Sequence, residues 1–287
     1  LVFLDYDQAG LDAQYDNRAK VPEFQSFLDR WSSSSERARA NLDCRIAVPF
    51  GGGPAATVDV FAGAKEGPAP IHLFIHGGYW TKLSKNEFSF VAHGLVPHGA
   101  VVVVMDYALI PTVTMDQLVD QCRACLAWVW KHASGLGGDP ERVFVSGHSA
   151  GGHLVAMLLA TDWRAFDSAL PPNPIRGATG ISGLYDLEPI QLSYLNEELG
   201  LSATSAVANS PAKLARASEC PLLLPVGALE GPEYLRQSKS LVGAWATAND
   251  SPELQVIPGH HHFSIVTELD DPTSRLSRAV QAQMGPV

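Results

Sequence analysis

One stretch limits the folds open to this chain more than any other: Arg142-Val143-Phe144-Val145-Ser146-Gly147-His148-Ser149-Ala150-Gly151-Gly152-His153-Leu154. Strand-type residues run straight into Gly-His-Ser-Ala-Gly, and an apolar helical stretch, Leu154 to Ala160, follows at once. In such a strand–turn–helix the serine occupies a sharp turn, usually at positive φ, so its neighbours two before and two after must be small. Gly147 and Gly151 meet that need. The strain sets the Ser149 hydroxyl at the helix N-terminus, where free N–H groups and the helix dipole favour developing negative charge. A plain glycine turn or a phosphate loop are the competing readings. Strand before and helix after favour Ser149 as a nucleophile.

The rest of the chain alternates around that unit. Cys44 to Val48 and Thr57 to Phe61 read as two strands joined by the turn Gly51-Gly52-Gly53-Pro54, since no P-loop lysine or helix follows the glycines. Strands at Ile71–Ile75, Ala100–Met105, 142–146, Gly177–Ile181, Pro221–Val226 and Glu253–Ile257 are interleaved with helices at 116–132, 151–160, Pro232–Ala248 and Thr273–Met284. Strands apolar on both faces and separated by helices predict an α/β fold, with a mostly parallel central sheet covered by helices on both faces. The 44–61 pair is its expected antiparallel edge. We expect one domain over 1–287, with a helical segment over 1–40 lying across the core near the site entrance. An insertion, 187–217, is expected to line the pocket.

Composition narrows the function classes. The chain has 287 residues, 46% of them hydrophobic, enough to bury a large core. Its net charge of −10 argues against nucleic acid or an anionic membrane as partner. Ala100–Met105 is far too short to span a bilayer, and no secretory leader pattern opens the chain. A cytoplasmic location is the expectation. Cys122 and Cys125 form a C-x-x-C, but within a helical apolar pattern, so they read as two cysteines on one helix face rather than a redox loop. Oligomeric state is open; a homodimer is compatible.

A nucleophilic serine needs a base, a group that orients the base, and donors for the oxyanion. His76-Gly77-Gly78-Tyr79-Trp80 follows an apolar strand, and its small residues let backbone N–H groups face a substrate oxygen. Gly78 and Tyr79 are the expected donors, with the N–H of Ala150. His76 precedes them and reads as a brace for the loop. Among ten histidines, His260-His261-His262 follows the last strand, where the order serine, acid, histidine puts the base. Consecutive histidines cannot all face one metal ion. His262 is the choice and His260 the reserve. Glu230 is the first carboxylate after the strand Pro221–Val226 and is the expected acid; Asp186, at the end of the preceding strand, is the alternative and otherwise a turn aspartate. Glu233 falls one turn further on and is expected to point away.

These residues resemble an α/β-hydrolase of the hormone-sensitive-lipase-like esterase branch, and within it the kynurenine formamidase (arylformamidase) group. The likeness is carried by His76-Gly77-Gly78-Tyr79-Trp80, by Gly147 to Leu154 and by Ser182-Gly183-Leu184-Tyr185-Asp186-Leu187-Glu188-Pro189. Gly227 to Tyr234 with Arg236-Gln237-Ser238, His262-Phe263, and Tyr6-Asp7-Gln8 through Gln14 to Arg18 extend it over nearly the whole chain. The resemblance implies a triad of Ser149, Glu230 and His262, with Gly78, Tyr79 and Ala150 as oxyanion donors. The chain departs from several relatives, whose acid is aspartate, in having Glu230, and it lacks the arginine common after Asp-Tyr in this branch, here Asp106-Tyr107.

The expectation is a cofactor-free serine hydrolase without a metal, acting on a small ester or aryl formamide in a pocket lined by Tyr79, Trp80, Tyr185 and the insertion. A broad short-chain carboxylesterase is the alternative. A ligand-binding protein on a dead hydrolase scaffold is the reading from another class. Acyl transfer to an alcohol would use the same residues.

Overall fold

A computed structural model describes residues 1–53, 55–63 and 67–285. Pro54, the last residue of the expected 51–54 turn, lies outside them. The strands are β1 (Cys44–Pro49), β2 (Thr57–Phe61), β3 (Ala69–Ile75), β4 (Val101–Met105), β5 (Gly138–His148), β6 (Gly177–Ile181), β7 (Leu222–Gly227) and β8 (Glu253–Ile257). Every residue of β3 and of β4 is buried, so both need cover on both faces. Alternate side chains supply the two contacts. Ile71, Leu73, Ile75, Val101, Val103 and Met105 join one core, with the helices Met115–His132, Ala150–Leu159 and Pro232–Trp245. Phe74, Val102 and Val104 join the other, with Phe24–Asn41, Val91–Leu95 and Arg275–Met284.

All eight strands form one sheet in the order β1-β2-β4-β3-β5-β6-β7-β8. β1 and β2 pair antiparallel, β2 joins β4 antiparallel, and every pairing from β4 to β8 is parallel. The fold is therefore α/β, with the early pair as its antiparallel edge. From β3 the chain goes to β4 on one side; from β4 it returns across β3 to β5 on the other. The loops leaving β3 and β5 thus part in opposite directions and open a crevice at the carboxyl ends of the strands, where open α/β sheets bind ligands.

Two boundaries differ from the sequence pattern. β5 starts at Gly138 because the ladder with β3 continues through a register shift after Ala69, and a Cβ at Gly138 would sit 2.2 Å from the Ile71 side chain. The helical segment expected over 1–40 breaks at Asp16, whose ψ of 76° ends Gln8–Tyr15 and whose carboxylate accepts from Ala19 N–H at 3.0 Å to start Asn17–Lys20. The break turns Asn17 inward. Residues 187–217 form the short helices Glu188–Gln191, Asn196–Leu199 and Ala203–Ala208. Among the described residues no helix is long and apolar enough to cross a membrane.

Candidate active site

Ser149 follows β5 with φ 57° and ψ −117° and heads the helix Ala150–Leu159. A non-glycine residue in this region carries a cost of about 1–3 kcal/mol, so the turn must be held from outside. Ser149 N–H donates to Ile181 O at 2.8 Å, tying the turn to β6. The flanking glycines are required by space: a Cβ at Gly147 would lie 2.3 Å from Gly151 O, and one at Gly151 would lie 2.0 Å from Ile75 O.

β8 and the Pro258-Gly259 turn bring His262 to the same edge, with Nε2 2.9 Å from Ser149 Oγ. Its Nδ1 lies 2.7 Å from Glu230 Oε2. An ionised carboxylate only accepts, so the ring hydrogen sits on Nδ1 and Nε2 is left to accept from the serine hydroxyl. Glu230 is buried in the turn after β7, where its other oxygen accepts from Gly227 N–H at 2.6 Å and from the Ser182 hydroxyl. Those donors keep the carboxylate aimed at the imidazole. His148 adds a further tie, its Nε2–H donating to the His262 carbonyl at 2.9 Å. Burial, and then the neighbouring His262, hold the His148 pKa well below the usual histidine value, so it stays neutral.

The other candidates fall elsewhere. Asp186 accepts from Glu188 N–H at 3.3 Å as a turn residue and faces Lys213 at 3.4 Å and Arg236 at 3.7 Å. His260 pairs with Glu268 at 2.8 Å, and His261 packs edge-on against Phe27, so the three consecutive histidines diverge. Glu233 accepts from the Tyr15 hydroxyl and from Arg236 Nε, each at 2.8 Å.

The loop after β3 is strained along its length. Gly78 has φ 111°, and a Cβ there would lie 2.0 Å from Lys82 O. Tyr79 and Trp80 follow at φ 49° and 61°. Among the described residues the N–H groups of Gly78, Tyr79 and Ala150 donate to no protein acceptor, and Gly78 and Tyr79 share a cavity wall with Ser149. His76 braces this loop: Nδ1–H donates to Gly77 O at 2.7 Å, the ring stacks on Tyr107 at 4.0 Å, and burial lowers its pKa to about 4. No arginine follows Tyr107. A buried lysine, Lys85, instead puts its ammonium 3.2 Å from Asp59 and 3.8 Å from Asp106.

The expected pocket residues need correction. Trp80 is fully buried with its indole N–H on His153 Nδ1 at 3.1 Å, because the left-handed backbone turns the ring into the core. Tyr185 is also fully buried, its hydroxyl donating to Gly180 O at 2.9 Å. Neither lines the cavity, which has a volume of roughly 410 Å³ beside Ser149 and His262. Trp31, Phe88 and Phe263 form its apolar wall, and Tyr194 and Leu199 come from the 187–217 stretch. The N-terminal segment contributes Tyr15 and Asn17 as well as Trp31. These, with Tyr234 and His148, escaped the sequence reading. The aromatic residues within 1–40 are the sequence signal that this segment packs against the rest of the chain.

Over 262 residues, covering 88% of this chain and 86% of the relative, the sequence is 35% identical to the kynurenine formamidase of Danio rerio. The chain belongs to the kynurenine formamidase family. The Salmo salar member is 34% identical over 95% of this chain and 93% of its own. The BD-FAE family model matches residues 58–184, from β2 past the turn at Ser149. The crystal structure of a thioesterase candidate from Silicibacter sp. TM1040 superposes with a TM-score of 0.84 at 30% identity, covering 94% of this chain and 98% of that one. An esterase from Pyrobaculum calidifontis, at 18% identity and a TM-score of 0.70 over 91% and 92% of the two chains, shares the fold. The protein is thus an α/β-hydrolase enzyme of the kynurenine formamidase family.

Proposed function

We propose that the enzyme hydrolyses aryl formamides of the kind its formamidase relatives are named for, through a Ser149–His262–Glu230 triad and an acyl-enzyme. The observation that carries the mechanism is the unbroken hydrogen-bond line from Glu230 through His262 to Ser149, opening on the cavity. His262 Nε2 takes the hydroxyl proton as Ser149 Oγ bonds to the formyl carbon. The carbonyl oxygen becomes an oxyanion received by the N–H groups of Gly78, Tyr79 and Ala150. The C–N bond then breaks, and the aryl amine leaves with the proton held on His262. Water then attacks the acyl carbon as it gives a proton to His262, and the ester C–O bond breaks as His262 returns that proton to Ser149 Oγ, releasing formate. Glu230 stabilises the imidazolium in both halves and holds its tautomer.

The choice of formamide rests on likeness along nearly the whole chain to formamidases, against 40–50% of the chain for the isoprenylcysteine methylesterases it also matches. Short-chain esters need the same residues, and the structural neighbour described as a thioesterase candidate favours a broad acyl range as the second reading. Steady-state kcat/KM on N-formylkynurenine beside p-nitrophenyl acetate separates the two. The formamidase reading expects efficient turnover of the formamide; a rate near background, with the ester hydrolysed, leaves the carboxylesterase.

A further inference from the structure

The donor loop raises a mechanical question. Two successive non-glycine residues, Tyr79 and Trp80, sit in the left-handed region, and such a conformation persists only where the surroundings over-determine it. Trp80 is fixed by the core, by His153 and by Ile110 N–H, which donates to its carbonyl at 2.9 Å. Tyr79 is fixed instead at the far end of its side chain. Its hydroxyl lies 2.7 Å from Tyr15 O, 2.8 Å from the Tyr234 hydroxyl and 3.1 Å from Asn17 Nδ2, and Asn17 Nδ2 lies 2.6 Å from the Tyr234 hydroxyl.

Hydrogens can be assigned to all four contacts in one way. A carbonyl only accepts, so the Tyr79 hydrogen goes to Tyr15 O. The Tyr234 hydrogen then goes to Tyr79, and both remaining hydrogens come from the Asn17 amide. An asparagine turned the other way would leave four contacts with two hydrogens. Asn17, 95% buried, is therefore the double donor that closes the cluster. The cluster also reaches the base, because the Tyr234 ring packs on the His262 ring at a centroid distance of 4.6 Å.

We infer that Asn17 and the Tyr79 and Tyr234 hydroxyls are positioning residues, through which the N-terminal segment sets the Tyr79 N–H in register with His262. The inference rests on the proposed role of that N–H as an oxyanion donor. A misplaced donor weakens an interaction made in the transition state and leaves ground-state binding alone, so its signature is a fall in kcat without a rise in KM.

The test measures kcat, KM and thermal midpoint for Tyr79→Phe, which keeps the backbone and ring, and for Asn17→Asp, which keeps the shape but replaces both donors with an acceptor. The substrate is p-nitrophenyl acetate, so the answer does not depend on formamide turnover. We expect kcat to fall about tenfold or more in each folded variant with KM within about twofold, and the double variant to be no slower than the slower single one. Rates within twofold of the parent, or a raised KM at unchanged kcat, would overturn the inference. If either chain fails to fold, Tyr234→Phe, which removes only the middle hydroxyl, is read by the same criteria. Ester turnover surviving in Ser149→Ala would instead remove the underlying triad reading, whatever the tyrosine variants show.

Discussion

Ser149 can lose its proton only to an acceptor, and His262 is an acceptor on Nε2 because Glu230 occupies Nδ1. We expect the variants to follow that dependence. Ser149→Ala abolishes turnover with the thermal midpoint nearly unchanged. Glu230→Gln lowers kcat by about 10²–10⁴-fold, since the amide no longer enforces the tautomer or stabilises the imidazolium. Asp186→Asn leaves kcat within about threefold, because Asp186 faces Lys213 and Arg236 rather than the base. A crippled Asp186→Asn with an active Glu230→Gln would reverse the assignment of the acid. Ser149, Glu230 and His262 could be placed at one sheet edge from chain order, because each ends or follows a strand that is plain in sequence. Trp80 and Tyr185 misled because an aromatic residue at a strand end looks available to a ligand. Only the backbone shows that φ 61° swings Trp80 inward, and that the Tyr185 hydroxyl reaches back to β6.

At the scale of elements, the turn at Ser149 is held by crowding. The loop after β3 and the helix after β5 approach so closely that Gly151 has backbone on its open side. Gly151→Ala places a methyl group 2.0 Å from Ile75 O, and neither backbone can yield without moving β3 or the helix. We expect that variant to lose more than about 3 kcal/mol of stability or to fail to fold, measured by urea unfolding. A chain of parental stability would mean the helix sits further from β3. Element positions were largely legible because β3, β4 and β7 are predominantly apolar and buried along their whole length, and the helices keep their period. The N-terminal segment was the exception. Its break at Asp16 is a local capping event inside a helical pattern, and its partners Tyr79 and Tyr234 lie 62 and 217 residues away. No local spacing encodes such a contact.

Across the whole molecule, burial holds four histidines, His72, His76, His148 and His153, below the ordinary histidine pKa. Burial lowers His72 to about 3, His76 and His153 to about 4, and His148 well below the ordinary value. In the unfolded chain each titrates near 6.5. Between those values the unfolded chain binds protons that the folded one refuses, so stability is full above about pH 6.5 and drains away as the pH falls toward 4. Each histidine contributes up to about 1.4 kcal/mol per pH unit to that slope. The urea midpoint should therefore be clearly lower at pH 5 than at pH 7.5, before most carboxylates are protonated; an equal midpoint at both would contradict the burial of these rings. The same sheet that buries them brings Ser149, His262 and Glu230 together from the ends of β5, β8 and β7.

Reaction of the folded enzyme with a fluorophosphonate, followed by peptide mass mapping and residual activity, tests that convergence most directly. We predict a single adduct on Ser149, with activity lost in proportion to labelling and no adduct on the Ser149→Ala variant. Full hydrolytic activity in protein labelled at Ser149, or an unlabelled Ser149 in protein that the reagent has inactivated, would contradict it.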